Sequence, residues 1–268
     1  MTVTDEVLES FAHAKDERFR EVMRSLVKHL HAFASEVRIT EAEWLAGIEF
    51  LTRTGHITDD KRQEFILLSD VLGLSMLTVG LNEPSQPGVT ESTVFGPFFV
   101  DGAPEIQQGG TIAEGVKGTP CEVSGTVRNV RGEPIAGARL DVWEADEDGY
   151  YDVQYSGDRM AGRAWLRSDA DGRYHFWSVV PASYPIPHDG PVGELMERAG
   201  RSPMRPAHVH FKVTAPGYRT LITHVFLAGD AHLKDDAVFG VKDSLIAQVE
   251  DRDGTPHLTF DIVLGDDQ

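Results

Sequence analysis

The chain reads as mainly β, an antiparallel β-sandwich preceded by an α-helical N-terminal region. Three observations predict this. Apolar residues recur at three- and four-residue spacings as far as about residue 82. The segment 82–89 then packs two prolines and a glycine into eight residues, the composition of a boundary. Beyond about residue 104, short β-rich runs alternate with turns such as Arg131-Gly132-Glu133-Pro134, Asp148-Gly149 and Asp171-Gly172. The expected division is a helical region over 1–103 and a sandwich domain over 104–268.

Within the first region, Phe11, Phe19, Val22, Met23, Leu26, Leu30 and Phe33 form one apolar stripe. Thr40-Glu41-Ala42-Glu43 has the form of a capping box, opening a helix that carries Trp44, Ile48 and Leu51 and that Gly55 can close. A third helix is expected over about 60–80. Three short helices cannot bury this much apolar surface among themselves, so the region either packs on the sandwich or forms a subunit interface. Strands are expected over 123–130, 138–143, 172–179, 208–213, 221–227 and 257–263, with short helices over 193–199 and 243–248. Their spacing is that of an antiparallel sandwich.

Bulk properties narrow the function classes. The chain has 268 residues, of which 41% are hydrophobic, enough for a sizeable core. A formal charge of -18 argues against nucleic acid and against an anionic membrane surface as partners. Cys121 is the single cysteine, which excludes an internal disulfide and suits a reducing compartment. The first six residues are acidic and do not resemble a signal peptide. The longest apolar stretch, 65–81, is interrupted by Ser69, Asp70, Gly73 and Ser75, the pattern of a buried helix rather than a membrane span. A cytoplasmic location follows as the expectation. There is no glycine-rich phosphate loop to suggest a nicotinamide or flavin.

The chemistry centres on His208-Val209-His210. These histidines alternate with Val209, Phe211 and Val213, the two-residue period of a strand. Residues two apart on a strand project from one face about 6.6–7 Å apart, so both imidazoles can converge on one ion. Upstream lie Tyr151, after the Asp148-Gly149 turn at the end of an expected strand, and Tyr184, inside the proline-dense Pro181-Ala182-Ser183-Tyr184-Pro185-Ile186-Pro187. A lone His-x-His is as compatible with packing as with metal, and a proline-rich loop is also a stiff surface connection. Two phenolates beside two imidazoles would favour a trivalent ion such as Fe(III). A zinc hydrolase using the two histidines is a rival, although tyrosine is a poor zinc donor.

Gly149-Tyr150-Tyr151, the proline-rich loop bearing Tyr184, and Arg205-Pro206-Ala207-His208-Val209-His210 resemble the intradiol ring-cleavage dioxygenases over most of the chain. The resemblance implies a transthyretin-like sandwich plus a helical dimerisation segment. It also implies ferric iron, one per subunit, bound by Tyr151, Tyr184, His208 and His210 with a solvent ligand. Tyr184 and His208 would be axial, Tyr151 and His210 equatorial. The third place of Gly-x-Tyr selects Tyr151 over Tyr150. Tyr184 would help take the diol protons, and Arg205 would stabilise negative charge developing on the ring. The resemblance further implies a homodimer joined through the N-terminal helices, with apolar space there for a lipid. His224 stands where catechol-cleaving relatives usually have glutamine, so its role is open. The remaining histidines lack a comparable constellation.

Thr93 to Phe99 form an apolar strip around a Gly-Pro turn, suited to lining a flat aromatic pocket or equally to plain core or linker packing. The expected substrate lining comprises Leu67, Asp70, Val94, Phe95, Gly96, Pro97, Phe98, Ile186, Pro187, Arg205 and Val238. Leu67 and Asp70 share a helix face, and a carboxylate among Ile66, Leu67, Leu68, Val71 and Leu72 needs a polar partner if buried. The plain explanation of Asp70 is solvent exposure or a helix-to-sandwich hydrogen bond; the sharper one is that it accepts a bond from an additional ring hydroxyl. Glu91 to Phe98, Gly149 to Asp152 and Thr223 to Phe226 look most like the hydroxyquinol-cleaving members. These would convert 1,2,4-trihydroxybenzene with O2 to maleylacetate. Catechol or chlorocatechol cleavage to cis,cis-muconates is the alternative, and a non-enzymatic transthyretin-like binding module a remote one.

Overall fold

The structure is a computed structural model that describes residues 1–59, 62–83, 86–155 and 160–267. It divides into two compact units, Met1–His56 and Ile57–Gln268.

The first unit holds α1 (Val3–Ser10), α2 (Glu17–Glu36) and α3 (Glu41–His56). Phe11 falls at the C-cap of α1, so the stripe expected to be continuous is interrupted and resumes in α2. There Asp16 caps the new helix by accepting from Phe19 N at 2.8 Å. Phe19, Val22, Leu26, Leu30 and Phe33 on α2 are each about half exposed. The capping box at the start of α3 forms as the sequence indicates. Thr40 N donates to Glu43 Oε2 at 2.8 Å, and Glu43 N donates to Thr40 Oγ1 at 3.2 Å. Gly55 does not close this helix; it stays out of the left-handed region, and the helix runs on through His56.

The second unit opens with α4 (Glu64–Val71) and α5 (Leu74–Asn82), where a single helix was expected over 60–80. Gly73 adopts φ 73°, and the axis turns by 77° between the two. The start expected at Asp60 lies outside the described residues. No described helix is by itself long and apolar enough to cross a membrane.

Two five-stranded sheets follow. In the first, β10 (Val249–Arg252), β11 (Thr255–Thr259), β1 (Pro120–Asn129) and β12 (Ile262–Leu264) run in that order, and β4 (Arg173–Val179) also pairs with β1. In the second the order is β3 (Arg163–Arg167), β2 (Arg139–Trp143), β7 (His208–Thr214), β8 (Leu221–Leu227) and β9 (Ile246–Ala247). A two-residue ladder joins β5 (Tyr184–Pro185) to β6 (Met204–Arg205), and α6 spans Pro191–Arg198.

The sheets are mixed rather than purely antiparallel, because β11 and β12 both run parallel to β1 and β9 runs parallel to β8. The strand expected over 257–263 is split for a steric reason. A Cβ at Gly125 would lie 1.8 Å from Phe260 O, so the glycine lets the neighbouring chain press against β1 and step. Asp261 Oδ1 then accepts from Thr126 N at 2.9 Å in place of a ladder bond. The expected helix over 243–248 is a 3-10 turn, Asp243–Leu245, followed by β9, which the edge of β8 recruits.

One core fills the space between the sheets. Val209, Phe211 and Val213 of β7 point into it with Leu140, Val142, Val123, Phe176 and Leu258. Phe211 packs edge-on against Tyr174 and Phe176 of the opposite sheet at 5.9 and 6.3 Å. Just past β2, Glu144 is buried. Its Oε1 accepts from Ser178 Oγ and from Val179 N at 3.2 Å, and Oε2 has no partner. Burial pushes its pKa up to about 8 from 4.5. A raised folded pKa means the native state keeps a proton that the unfolded chain releases. This stabilisation is complete below about pH 4.5 and fades as pH rises towards 8. Glu144→Gln keeps the accepting oxygen and removes the titration. Its stability relative to the parent should therefore rise between about pH 5 and about pH 8 in urea unfolding curves.

Candidate metal centre

Strand β7 supplies both histidines from the face opposite its core residues, with their Nε2 atoms 3.2 Å apart. His208 Nδ1 donates to Pro206 O at 2.6 Å, which fixes the tautomer and leaves Nε2 as a lone pair facing the centre, 3.3 Å from Arg205 Nη1. His210 is held flat against Trp143, with ring centroids 4.6 Å apart.

Tyr151 arrives by a tight turn rather than at a strand end. Asp146 Oδ1 accepts from Asp148 N and Tyr150 N, and Gly149 takes φ 83°. A Cβ at Gly149 would sit 2.5 Å from Tyr184 Cβ, so only glycine allows this approach. Tyr151 is buried and stacked on Phe98 at 4.5 Å, while Tyr150 is half exposed beside Tyr155. Tyr184 lies in β5, paired with Arg205 of β6, so its loop is a structural ladder rather than a surface connection.

The four donor atoms close a ring. Tyr151 Oη lies 2.7 Å from His210 Nε2 and 3.0 Å from Tyr184 Oη, and Tyr184 Oη lies 3.4 Å from His208 Nε2. All four side chains are buried. Burial, with the Arg205 charge beside it, lowers the His208 pKa to about 3; burial takes His210 well below its usual value. Burial also raises both phenols above their ordinary range. Two neutral imidazoles and two phenols in a dry centre form a donor set that a cation of high charge fits, because it would draw the protons off both phenols.

His224 pairs with His210 across β7 and β8, and one nitrogen from each of His208, His210 and His224 falls within 4.8 Å of the others. His224 Nδ1 lies 3.3 Å from Arg205 Nη2, and its Nε2 is buried without a partner. The phenol oxygens lie 2.7 and 3.4 Å from Nε2 of His210 and His208, so the two tyrosines and two histidines form the tighter donor set.

Two neighbours have no signal in the sequence. Trp143 has no motif to mark it, and Asp236 forms a buried ion pair with Arg205, Nε to Oδ1 at 3.1 Å. Burial works to raise the Asp236 pKa, yet the Arg205 charge and hydrogen bonds hold it below the usual carboxylate range. A second buried pair, Arg163 with Asp152, secures the residue after Tyr151. Arg163 Nη1 also donates to Phe98 O at 3.0 Å, tying the two stacked rings into one frame.

Beside the centre is a cavity of about 570 Å³ whose lining includes Leu67, Pro97, Phe98, Gly149, Ile186 and Pro187. Leu67, Ile186, Val94 and Val238 belong to one apolar cluster. Gly96, at φ 77°, brings backbone against His210; a Cβ there would be 3.3 Å from the ring. The Phe95 ring turns instead to Phe99 and Trp143, at 4.7 and 6.0 Å. Asp70 is 4% exposed, which excludes the solvent-exposed reading. Burial raises its pKa, opposed by Ser75 and by the Arg205 charge.

Residues 16–90 match the family described as catechol dioxygenase N terminus, and residues 94–266 match the dioxygenase family. The hydroxyquinol 1,2-dioxygenase of Nocardioides simplex is 58% identical, over 92% of this chain and 85% of that protein. The 6-chlorohydroxyquinol 1,2-dioxygenase of Cupriavidus pinatubonensis is 57% identical, over 98% and 96%. The crystal structure of hydroxyquinol 1,2-dioxygenase from Pseudomonas putida superposes with a TM-score of 0.93 at 44% identity, covering 99% of this chain and 98% of that one. That of catechol 1,2-dioxygenase from Pseudomonas arvilla gives 0.87 at 30%, covering 99% and 92%. With both regions matched, and relatives 57–58% identical over nearly the whole chain, the chain belongs to the intradiol ring-cleavage dioxygenase family.

Proposed function

We propose that this protein is a hydroxyquinol 1,2-dioxygenase. It opens 1,2,4-trihydroxybenzene with O2 between the two adjacent hydroxylated carbons and yields maleylacetate. The observation that carries the reading is the buried ring of two phenol oxygens and two imidazole nitrogens, 2.7 to 3.4 Å apart, beside a cavity lined in part by Leu67, Pro97, Phe98 and Ile186. Relatives named for hydroxyquinol cleavage at 55–58% identity favour this substrate. Catechol cleavage is less supported, since the catechol 1,2-dioxygenase of Candida albicans is 38% identical.

In this reading Tyr151, Tyr184, His208 and His210 hold one ferric ion per subunit. Fe(III) held there would supply Lewis acidity, making the diol ring more reactive towards O2. The protein's own groups do the rest. Tyr184 Oη, which burial keeps protonated and which a bound cation would ionise, would then accept a proton from the incoming diol. Arg205 faces the centre with a fixed positive charge and stabilises negative charge as it develops on the ring. Phe98, Ile186 and Pro187 exclude water from the ring faces, and the Asp70 carboxylate accepts a hydrogen bond from the third hydroxyl. The half-exposed stripe of α2 supports a homodimer through the N-terminal helices, with apolar space for a lipid chain. Buried, unpaired Cys121 fits a reducing cytoplasm.

Purified protein should be red from phenolate-to-iron absorption and should consume O2 with hydroxyquinol; a colourless, iron-replete preparation refutes the site. Tyr184→Phe should shift that band and lower kcat by about 10²- to 10⁴-fold. His208→Ala should lose most of its iron by metal analysis. Asp70→Ala should reduce the preference for hydroxyquinol over catechol, read as a ratio of kcat/KM, by about 10- to 100-fold.

A further inference from the structure

Arg205 is buried, and its five N–H groups are divided among partners in a definite way. Nε donates to Asp236 Oδ1 at 3.1 Å. Nη2 donates to Asp236 Oδ2 at 3.5 Å and to His224 Nδ1 at 3.3 Å. Nη1 lies 3.3 Å from His208 Nε2, the lone pair that faces the centre. With that lone pair given to a metal, the Nη1 edge is the part of the guanidinium left to face a bound ring. Two of the three nitrogens are thus fixed by Asp236 and His224.

The carboxylate is itself immobilised. Asp236 accepts from Val238 N at 3.3 Å and from Gly240 N at 2.8 Å. The turn that makes both bonds needs Phe239 at φ 59°, a region aromatic residues rarely enter. It is braced by Arg201, whose guanidinium lies 4.7 Å from the Phe239 ring and whose Nη2 donates to Ala237 O at 3.0 Å. Gly240 leaves the room required, since a Cβ there would lie 3.2 Å from both Arg205 Nη2 and Asp236 Oδ2. The same loop carries Val238 into the apolar cluster with Leu67, Val94 and Ile186. His224, the departure from the family pattern, completes the grip from β8 as a hydrogen-bond acceptor.

We propose that Asp236 and His224 are positioning residues that aim the Arg205 guanidinium, presenting its Nη1 edge to the reacting ring. This rests on the role given above to Arg205. The test is steady-state kinetics on iron-loaded protein, with iron content and the resting visible band measured alongside. Asp236→Asn should lower kcat by about 10- to 100-fold with KM changed by no more than about twofold, the iron and the band being unaltered. His224→Asn, which keeps an acceptor, should retain most of the turnover that His224→Leu loses. Adding Asp236→Asn to Arg205→Gln should cost nothing further, because the group being aimed is gone. Native kcat in both Asp236→Asn and His224→Leu, or equal losses in His224→Asn and His224→Leu, overturns the proposal. If Asp236→Asn does not fold, the His224 pair decides alone. Native turnover in Arg205→Gln would instead remove the role of Arg205 on which the inference stands.

Discussion

Everything at the centre depends on β7 having two working faces. Val209, Phe211 and Val213 are locked into the inter-sheet core, and the pleat then forces His208 and His210 onto the opposite side. A one-residue slip would bury the imidazoles among valines and send the core residues into the metal cradle. The register with β2 and β8 prevents that slip, setting Trp143 against His210 on one side and His224 on the other. The hydrophobic core therefore fixes the donor geometry, and the site inherits the rigidity of the sandwich.

The second requirement is electrostatic. Around four neutral donors the fold buries two ion pairs, Arg205 with Asp236 and Arg163 with Asp152. Each charge is expensive to take out of water, and each is compensated by its partner, with backbone hydrogen bonds added at Asp236, Asp152 and Arg163. Their placement matters more than their stability. One pair presents positive charge to the centre, while the other secures the backbone that carries Tyr151 and Phe98.

Much of this was legible in the sequence because it is encoded locally. Period-two alternation marked β7, and the boundaries of β8 agree with those expected. Glycine next to Tyr151 and prolines around Tyr184 marked the two phenols. What the sequence hid depends on contacts between distant segments. Asp236 belongs to Arg205 thirty-one positions away, and nothing around it in the chain announces an ion pair. Trp143 looks like any inward strand residue until β7 pairs with β2. The step between β11 and β12 arises from a steric opening at Gly125, which reads in the sequence only as a weak spot in a strand. The break between α4 and α5 is a different kind of miss, since Gly73 was visible but its left-handed turn was not.

The turn before Tyr151 has a consequence for the distance between the two phenols. At Gly149 the backbone and the Tyr184 side chain are separated by less than one methyl group. The missing side chain therefore works as a shim, setting how near one aromatic oxygen is drawn to the other. The spacing of the two phenol oxygens, 3.0 Å, is gauged by a residue that contributes no atom to the donor ring.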